Sequence, residues 1–246
     1  MGGFVERDIR PQSLLVDSAL AHALRFETPL APTYGNVVGM RVLVAFLVVG
    51  VGMLFAVPFV SDALGVRGFP VAKLGFVVAL LAAFIVAQRA FVGVPMTDVG
   101  LRRFADWTRR ERLYFFQVVP LAAVVFAIVF CSHLLALLEQ HELVGFLLFS
   151  VLTGLVWGIV QELLYRGWLQ TELTRRFGAT AGLLAANVAF TFGPLHLDYL
   201  VEPTGARWGG LISVFGIGLF FGFVYRRSGN VWIPAVLHGL WPLNMT

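Results

Sequence analysis

Apolar runs separated by short polar connections dominate the chain. Residues 37–60, 69–86, 113–135, 143–165, 179–195 and 209–225 each hold an almost unbroken apolar stretch. Most approach or exceed the length at which an apolar helix crosses a hydrocarbon core, about 20 residues. A seventh segment, 231–243, is short for a full crossing and is expected to be tilted, broken or partly buried in protein. The pattern predicts an all-α, polytopic transmembrane helix bundle of about seven or eight membrane segments. Three regions follow: a polar, partly amphipathic segment 1–36, N-terminal membrane helices over 37–142, and a membrane core over 143–246. Within the first, residues 13–26 have helical apolar spacing and read as a helix on the membrane surface. No cleavable signal peptide is expected there, because the segment has no apolar core.

Composition agrees with this reading. The chain is 59% hydrophobic and only 13% charged, where soluble domains carry roughly a quarter charged residues. The basic balance, +4 at pH 7, does not call for nucleic acid, since the arginines sit in short connections. They gather after the second, fourth and sixth spans: Arg102, Arg103, Arg109, Arg110, Arg112; Arg166, Arg175, Arg176; Arg226, Arg227. The alternate connections carry Glu139, Glu142, Asp198 and Glu202. The positive-inside rule then places the N-terminus and the basic connections in the cytoplasm, with a bacterial inner membrane as the expected location. The single cysteine, Cys131, excludes an intrachain disulfide and reads as a buried structural thiol at the end of a membrane helix.

Against this background the polar residues of the later spans stand out: Gln161, Glu162, Arg166, Asn187, His196 and His238, with Asn244 near the end. Ionisable groups at membrane depth are costly and tend to mark function. Glu162 and Arg166 are four apart and share one helix face, while Gln161 points about 100° away. A structural ion pair is one reading of them, and it is compatible with support of an active site. By the span boundaries, His196 falls at the outer end of the fifth span and Glu162 at the inner end of the fourth. They meet only if the fifth span is shorter or deeper than its apolar run.

Three short patterns resemble those of the CAAX-protease and bacteriocin-processing (Abi) family of intramembrane glutamic endopeptidases. They are Gln161-Glu162-Leu163-Leu164-Tyr165-Arg166, Phe192-Gly193-Pro194-Leu195-His196, and His238 near the C-terminus. The resemblance covers about residues 143–243. It implies hydrolysis of a peptide bond in a membrane-anchored protein tail or peptide, within a bilayer-embedded helix bundle and without a cofactor or metal. It puts Gln161 at the position of the family's water-activating Glu, His196 as its partner base and His238 as an oxyanion donor, with Glu162 and Arg166 bracing the site. Two departures follow. An amide cannot take a proton from water, so Gln161 is not a base. An introduced Glu-to-Gln change, which the otherwise preserved motif favours, a natural inactive form, or transfer of the work to Glu162 would each account for it. The family's third motif also has an Asn four residues after its His, where this chain has Pro242; Asn244 is the nearest substitute. A membrane scaffold, immunity or regulatory factor retaining the fold is the alternative function. A zinc protease ranks below both, since no His-Glu-x-x-His pattern is present.

Overall fold

A computed structural model describes residues 34–63, 70–193, 196 and 205–240. The surface helix expected over 13–26 lies outside them, as do Asp198, Glu202, Pro242 and Asn244. The regular structure of the described residues is all helical, with no strand among them. The α-helices are α1 (Asn36–Ala63), α2 (Pro70–Ala87), α3 (Arg109–Val129), α4 (Cys131–Gly145), α5 (Thr153–Glu162), α6 (Thr171–Phe177), α7 (Ala179–Thr191), α8 (Gly205–Ser228) and α9 (Trp232–Leu240). Four continuous helical stretches are long and apolar enough to cross a membrane: Val71–Val92, Glu111–Val129, Leu143–Phe177 and Trp208–Ser228. Two shorter apolar helices, Asn36–Gly50 and Ala179–Thr191, accompany them. The protein is an integral membrane protein.

Local chemistry sets the breaks. α2 begins at Pro70, whose missing N–H costs nothing in a first turn. It runs into a π-helical turn, Gln88–Val92, closed by Gly93 at φ 75°. α3 starts with a reciprocal cap: Glu111 N donates to Thr108 Oγ1 at 3.1 Å, and Thr108 N donates to Glu111 Oε2 at 2.7 Å. Two stretches expected to be connections are helical instead. Residues 139–142, read as an acidic turn, lie inside α4, whose first residue, Cys131, is exposed on the helix surface and not buried as expected. Arg166, Arg175 and Arg176 lie on the rod that ends at Phe177, so the connection after the fourth span shrinks to Gly178. Charge marks the end of an apolar run but does not itself stop a helix, and Gly167 is carried inside the buried π segment, so the rod continues.

The central rod joins α4, a π-helical segment Phe146–Leu152, α5, a second π-helical segment Leu163–Gln170, and α6. All eight residues of the second π segment are buried. Around it lies the main core, with Phe84, Leu163, Tyr165, Trp168, Phe190 and Tyr225. Trp168 stacks on Phe84 at 4.3 Å between ring centroids. Its Nε1 donates to Gln88 Oε1 at 2.6 Å, and Gln88 Nε2 donates to the Val94 carbonyl at 2.8 Å. A smaller cluster of Phe221, Val224, Ile233 and Leu237 seats α3 against α8 and α9.

Candidate active site

The site forms where the end of α5 and the π segment meet α7, α8 and α9. α5 carries Gly154, Gly158 and Glu162 at four-residue spacing, hence on one face. That face lies directly on α9. A Cβ built at Gly158 would stand 2.7 Å from the Gly239 amide nitrogen and 3.1 Å from its Cα, and nearer still to the Ala235 carbonyl oxygen. One at Gly239 would stand 2.6 Å from Leu155 Cα and 2.7 Å from the Gly154 oxygen. Small residues let membrane helices approach backbone to backbone in this way. The approach delivers His238, next to Gly239, onto Glu162: His238 Nδ1 donates to Glu162 Oε1 at 2.8 Å.

Glu162 is fully buried, and its other oxygen, Oε2, faces Arg166 Nε at 3.2 Å. The shared face expected from the sequence is therefore realised as an ion pair. Arg166, also buried, donates through Nη2 to the Gly218 carbonyl of α8 at 2.8 Å. Its guanidinium lies 4.4 Å from the Phe190 ring centroid, where the π face attracts it. One turn on, Gln170 Nε2 repeats the contact, donating to the Gly222 carbonyl at 2.9 Å. Asn187 of α7 donates to the Phe215 carbonyl at 3.1 Å. Side-chain amides and a guanidinium thus join the rod and α7 to the backbone of α8, because each would otherwise be an unpaired polar group in an apolar interior.

His196, placed by span counting at the opposite depth to Glu162, shares a cavity with His238, the partner of Glu162. α7 ends at Thr191, and the chain then turns back, with the His196 amide bonding the Gly193 carbonyl at 3.1 Å. The helix is shorter than the apolar run that contains it, which removes the depth conflict posed by the sequence. His196 Nδ1 lies 2.9 Å from the Phe190 carbonyl. Since a carbonyl can only accept, Nδ1 carries the proton and Nε2 is the basic nitrogen. His196 and His238 line a cavity of about 50 Å³ with Phe190, Val214, Ile217 and Phe221. A water needs about 10–15 Å³ by this kind of measure, so the space admits several. Phe190 packs edge-on against both imidazoles, with centroids at 4.8 and 5.7 Å. Burial pushes the His196 imidazole below its ordinary value, the Phe190 carbonyl partly opposes this, and nearby His238 and Arg166 push it further down.

Gln161 is buried too, but it does not line the cavity, and its Oε1 has no partner among the described residues. Four of the five residues singled out around the motifs, Glu162, Arg166, His196 and His238, therefore come together, and Gln161 stands outside the cavity wall. No three His, Cys, Asp or Glu side chains among the described residues converge to hold a metal ion. Sequence reasoning missed Phe190 and Phe221, which wall the cavity, and the glycines that set the α5–α9 distance. The Gly154–Gly158–Glu162 spacing carried the latter signal.

Residues 143–243 match the family model described as Type II CAAX prenyl endopeptidase Rce1-like. The match starts at the first residue of the Leu143–Phe177 rod and runs past α9, so it encloses every side chain of the cavity. Neither the curated proteins nor the solved structures compared with the chain gave a match.

Proposed function

We propose, from the match of residues 143–243 to the Rce1-like type II CAAX prenyl endopeptidase family model, that the chain is an intramembrane endopeptidase whose working carboxylate is Glu162. The observation that carries the reading is the 2.8 Å contact of Glu162 with His238, on a cavity that His238 shares with His196. The substrate is the membrane-anchored tail of a protein or peptide, reached from the cytoplasmic side by the expected topology.

The chemistry follows from the tautomers. Neutral His196, with Nδ1–H held by Phe190, presents Nε2 to a water in the cavity and takes its proton as the water oxygen attacks the peptide carbonyl. The carbonyl π electrons move to oxygen, forming a tetrahedral oxyanion. His238, in its doubly protonated form with Nδ1–H on Glu162, presents Nε2–H to that oxygen. A donor of this kind, fixed before reaction in a low-dielectric site, is worth about 10²–10³ in rate. The oxyanion then collapses, the C–N bond breaks, and the His196 imidazolium passes its proton to the leaving amine. The products are a new carboxyl terminus and a free amine. Arg166 orients Glu162 through their 3.2 Å contact, a positioning role, and needs no contact with substrate. Gln161 takes no proton in this scheme, which removes the need for a carboxylate at its position. No cofactor enters.

The test is cleavage of a prenylated Cys-containing C-terminal tail, and of unprenylated membrane-anchored tails, by the purified chain. Four variants run beside it: Gln161→Glu, Glu162→Gln, His196→Ala and His238→Ala. Cleavage by the parent and loss of about 10²-fold or more in the last three is expected. Cleavage only by Gln161→Glu would move the carboxylate role back to position 161. Cleavage by neither form, with partner binding intact, would favour a non-enzymatic scaffold or immunity factor. Gln161 is the observation that keeps that second reading in play.

A further inference from the structure

We propose that the arginine-rich end of the bundle is a binding site for the headgroup of an anionic phospholipid, independent of the proteolytic reading. Three separate segments meet there. The connection before α3 supplies Arg102 and Arg103, the first turn of α3 supplies Arg109 and Arg112, and the last turn of α8 supplies Arg226 and Arg227. Their meeting is built, not a by-product of sequence order. Trp232 Nε1, at the start of α9, donates to the Arg102 carbonyl at 2.9 Å, and Val231 N donates to the Gly100 carbonyl at 3.0 Å. Tyr114 and Phe115 of α3 pack on Phe221 and Val224 of α8, one turn before Arg226.

The acidic groups nearby leave this charge largely unbalanced. Glu111 is buried in the α3 cap, where one oxygen accepts from Thr108 N and the other lies 3.5 Å from Arg102. Asp98 and Asp106 are the other carboxylates of the connection, against six arginines. Arg103, Arg109, Arg112 and Arg226 are exposed.

The second observation is apolar. Phe104, Leu113, Phe116 and Phe223 are each about half exposed beside these arginines. Arg227 lies over the Phe223 ring at 5.2 Å, and Arg112, whose Nε and Nη2 donate to the Trp107 carbonyl and leave Nη1, lies over the Phe104 ring at 5.6 Å. A guanidinium seated on an outward-facing ring puts a phosphate-binding fork directly above a surface that suits acyl chains. Soluble phosphate would use only the upper half of that surface. A phosphodiester headgroup with its acyl chains uses both, and such arginine clusters attract anionic leaflets by roughly fivefold in affinity per charge.

The test uses the purified full chain in lipid nanodiscs of phosphatidylcholine with and without phosphatidylglycerol. Retained lipid is measured by native mass spectrometry and the unfolding midpoint by fluorescence. Phosphatidylglycerol is expected to be retained selectively and to raise the midpoint, and salt is expected to weaken the effect. Arg226→Gln/Arg227→Gln should lower its affinity by about 25-fold if the two contributions are independent. Arg226→Lys/Arg227→Lys should stay within about threefold of the parent, which guards against a folding defect in the first variant. Equal retention of the two lipids would overturn the proposal, as would parental affinity in the Gln variant. Inorganic phosphate stabilising the chain as well as phosphatidylglycerol would overturn the lipid assignment.

Discussion

Replacing Gly158 by alanine tests the core of the site with a single methyl group. The added Cβ would lie 2.7 Å from the Gly239 nitrogen and 3.1 Å from its Cα. Unstrained heavy-atom contacts sit near 3.5–4.0 Å, so α5 and α9 must part by about 1 Å. The Glu162–His238 contact, 2.8 Å in the parent, would stretch to about 3.8 Å if α9 moved as a body, beyond hydrogen-bond reach. Displacement of that size at a reacting group costs about 10²-fold in rate. Overpacking costs roughly 1–3 kcal/mol, of which the better helix propensity of alanine returns at most about 1. A net loss of about 1–2 kcal/mol is therefore expected. Gly216 of α8 is the control, because a Cβ there meets nothing within 4 Å. Its alanine variant should gain up to about 1 kcal/mol and keep its rate. The assays are the unfolding midpoint in detergent and the cleavage rate. Gly158→Ala matching Gly216→Ala in both would refute the argument that backbone contact at Gly158 sets the Glu162–His238 distance.

The pH response rests on His196, beyond the end of α7. Its folded value lies below the ordinary 6.5 or so, burial being the main cause. The unfolded chain therefore binds more protons between the two values, and stability should fall as pH drops below about 6.5, levelling off under the folded value. His196→Gln should flatten that part of a midpoint-against-pH profile; a parent that gains stability on acidification through the window would contradict it. Arg166→Met leaves the Glu162 carboxylate buried without its cation and should cost about 3–5 kcal/mol in chemical denaturation. Adding Glu162→Gln should recover a good part of this, and additive losses in the double variant would deny the coupling. Thr108→Ala removes one half of the α3 cap and should cost about 1 kcal/mol, whereas no change in unfolding midpoint would show the cap to be idle.

The linear pattern determined the class of the protein: apolar runs of membrane length admit little but helices, since each backbone group in hydrocarbon must be satisfied within its own segment. It also determined that Glu162 and Arg166 share a face, because that depends on four-residue spacing alone. Their meeting with His238 was not legible in that way. It depends on how closely α5 and α9 approach, which Gly158 and Gly239 decide through contacts across 81 positions of chain. The place of His196 likewise depended on where α7 stops. Hydropathy counts apolar residues and is blind to the turn at residues 192–193, so the run predicted a longer helix than the 13 residues that form. The continuity of the rod through Arg166 and Arg175 was hidden for the same reason: hydropathy scores the charges and not their intrahelical partners, Glu162 and Glu172, and only folding adds the Asn36 contact to Arg175. Sequence spacing thus specified which residues could act together on one helix, and packing between helices decided that Glu162 meets His238 behind the cavity His238 shares with His196, while Gln161 meets neither histidine.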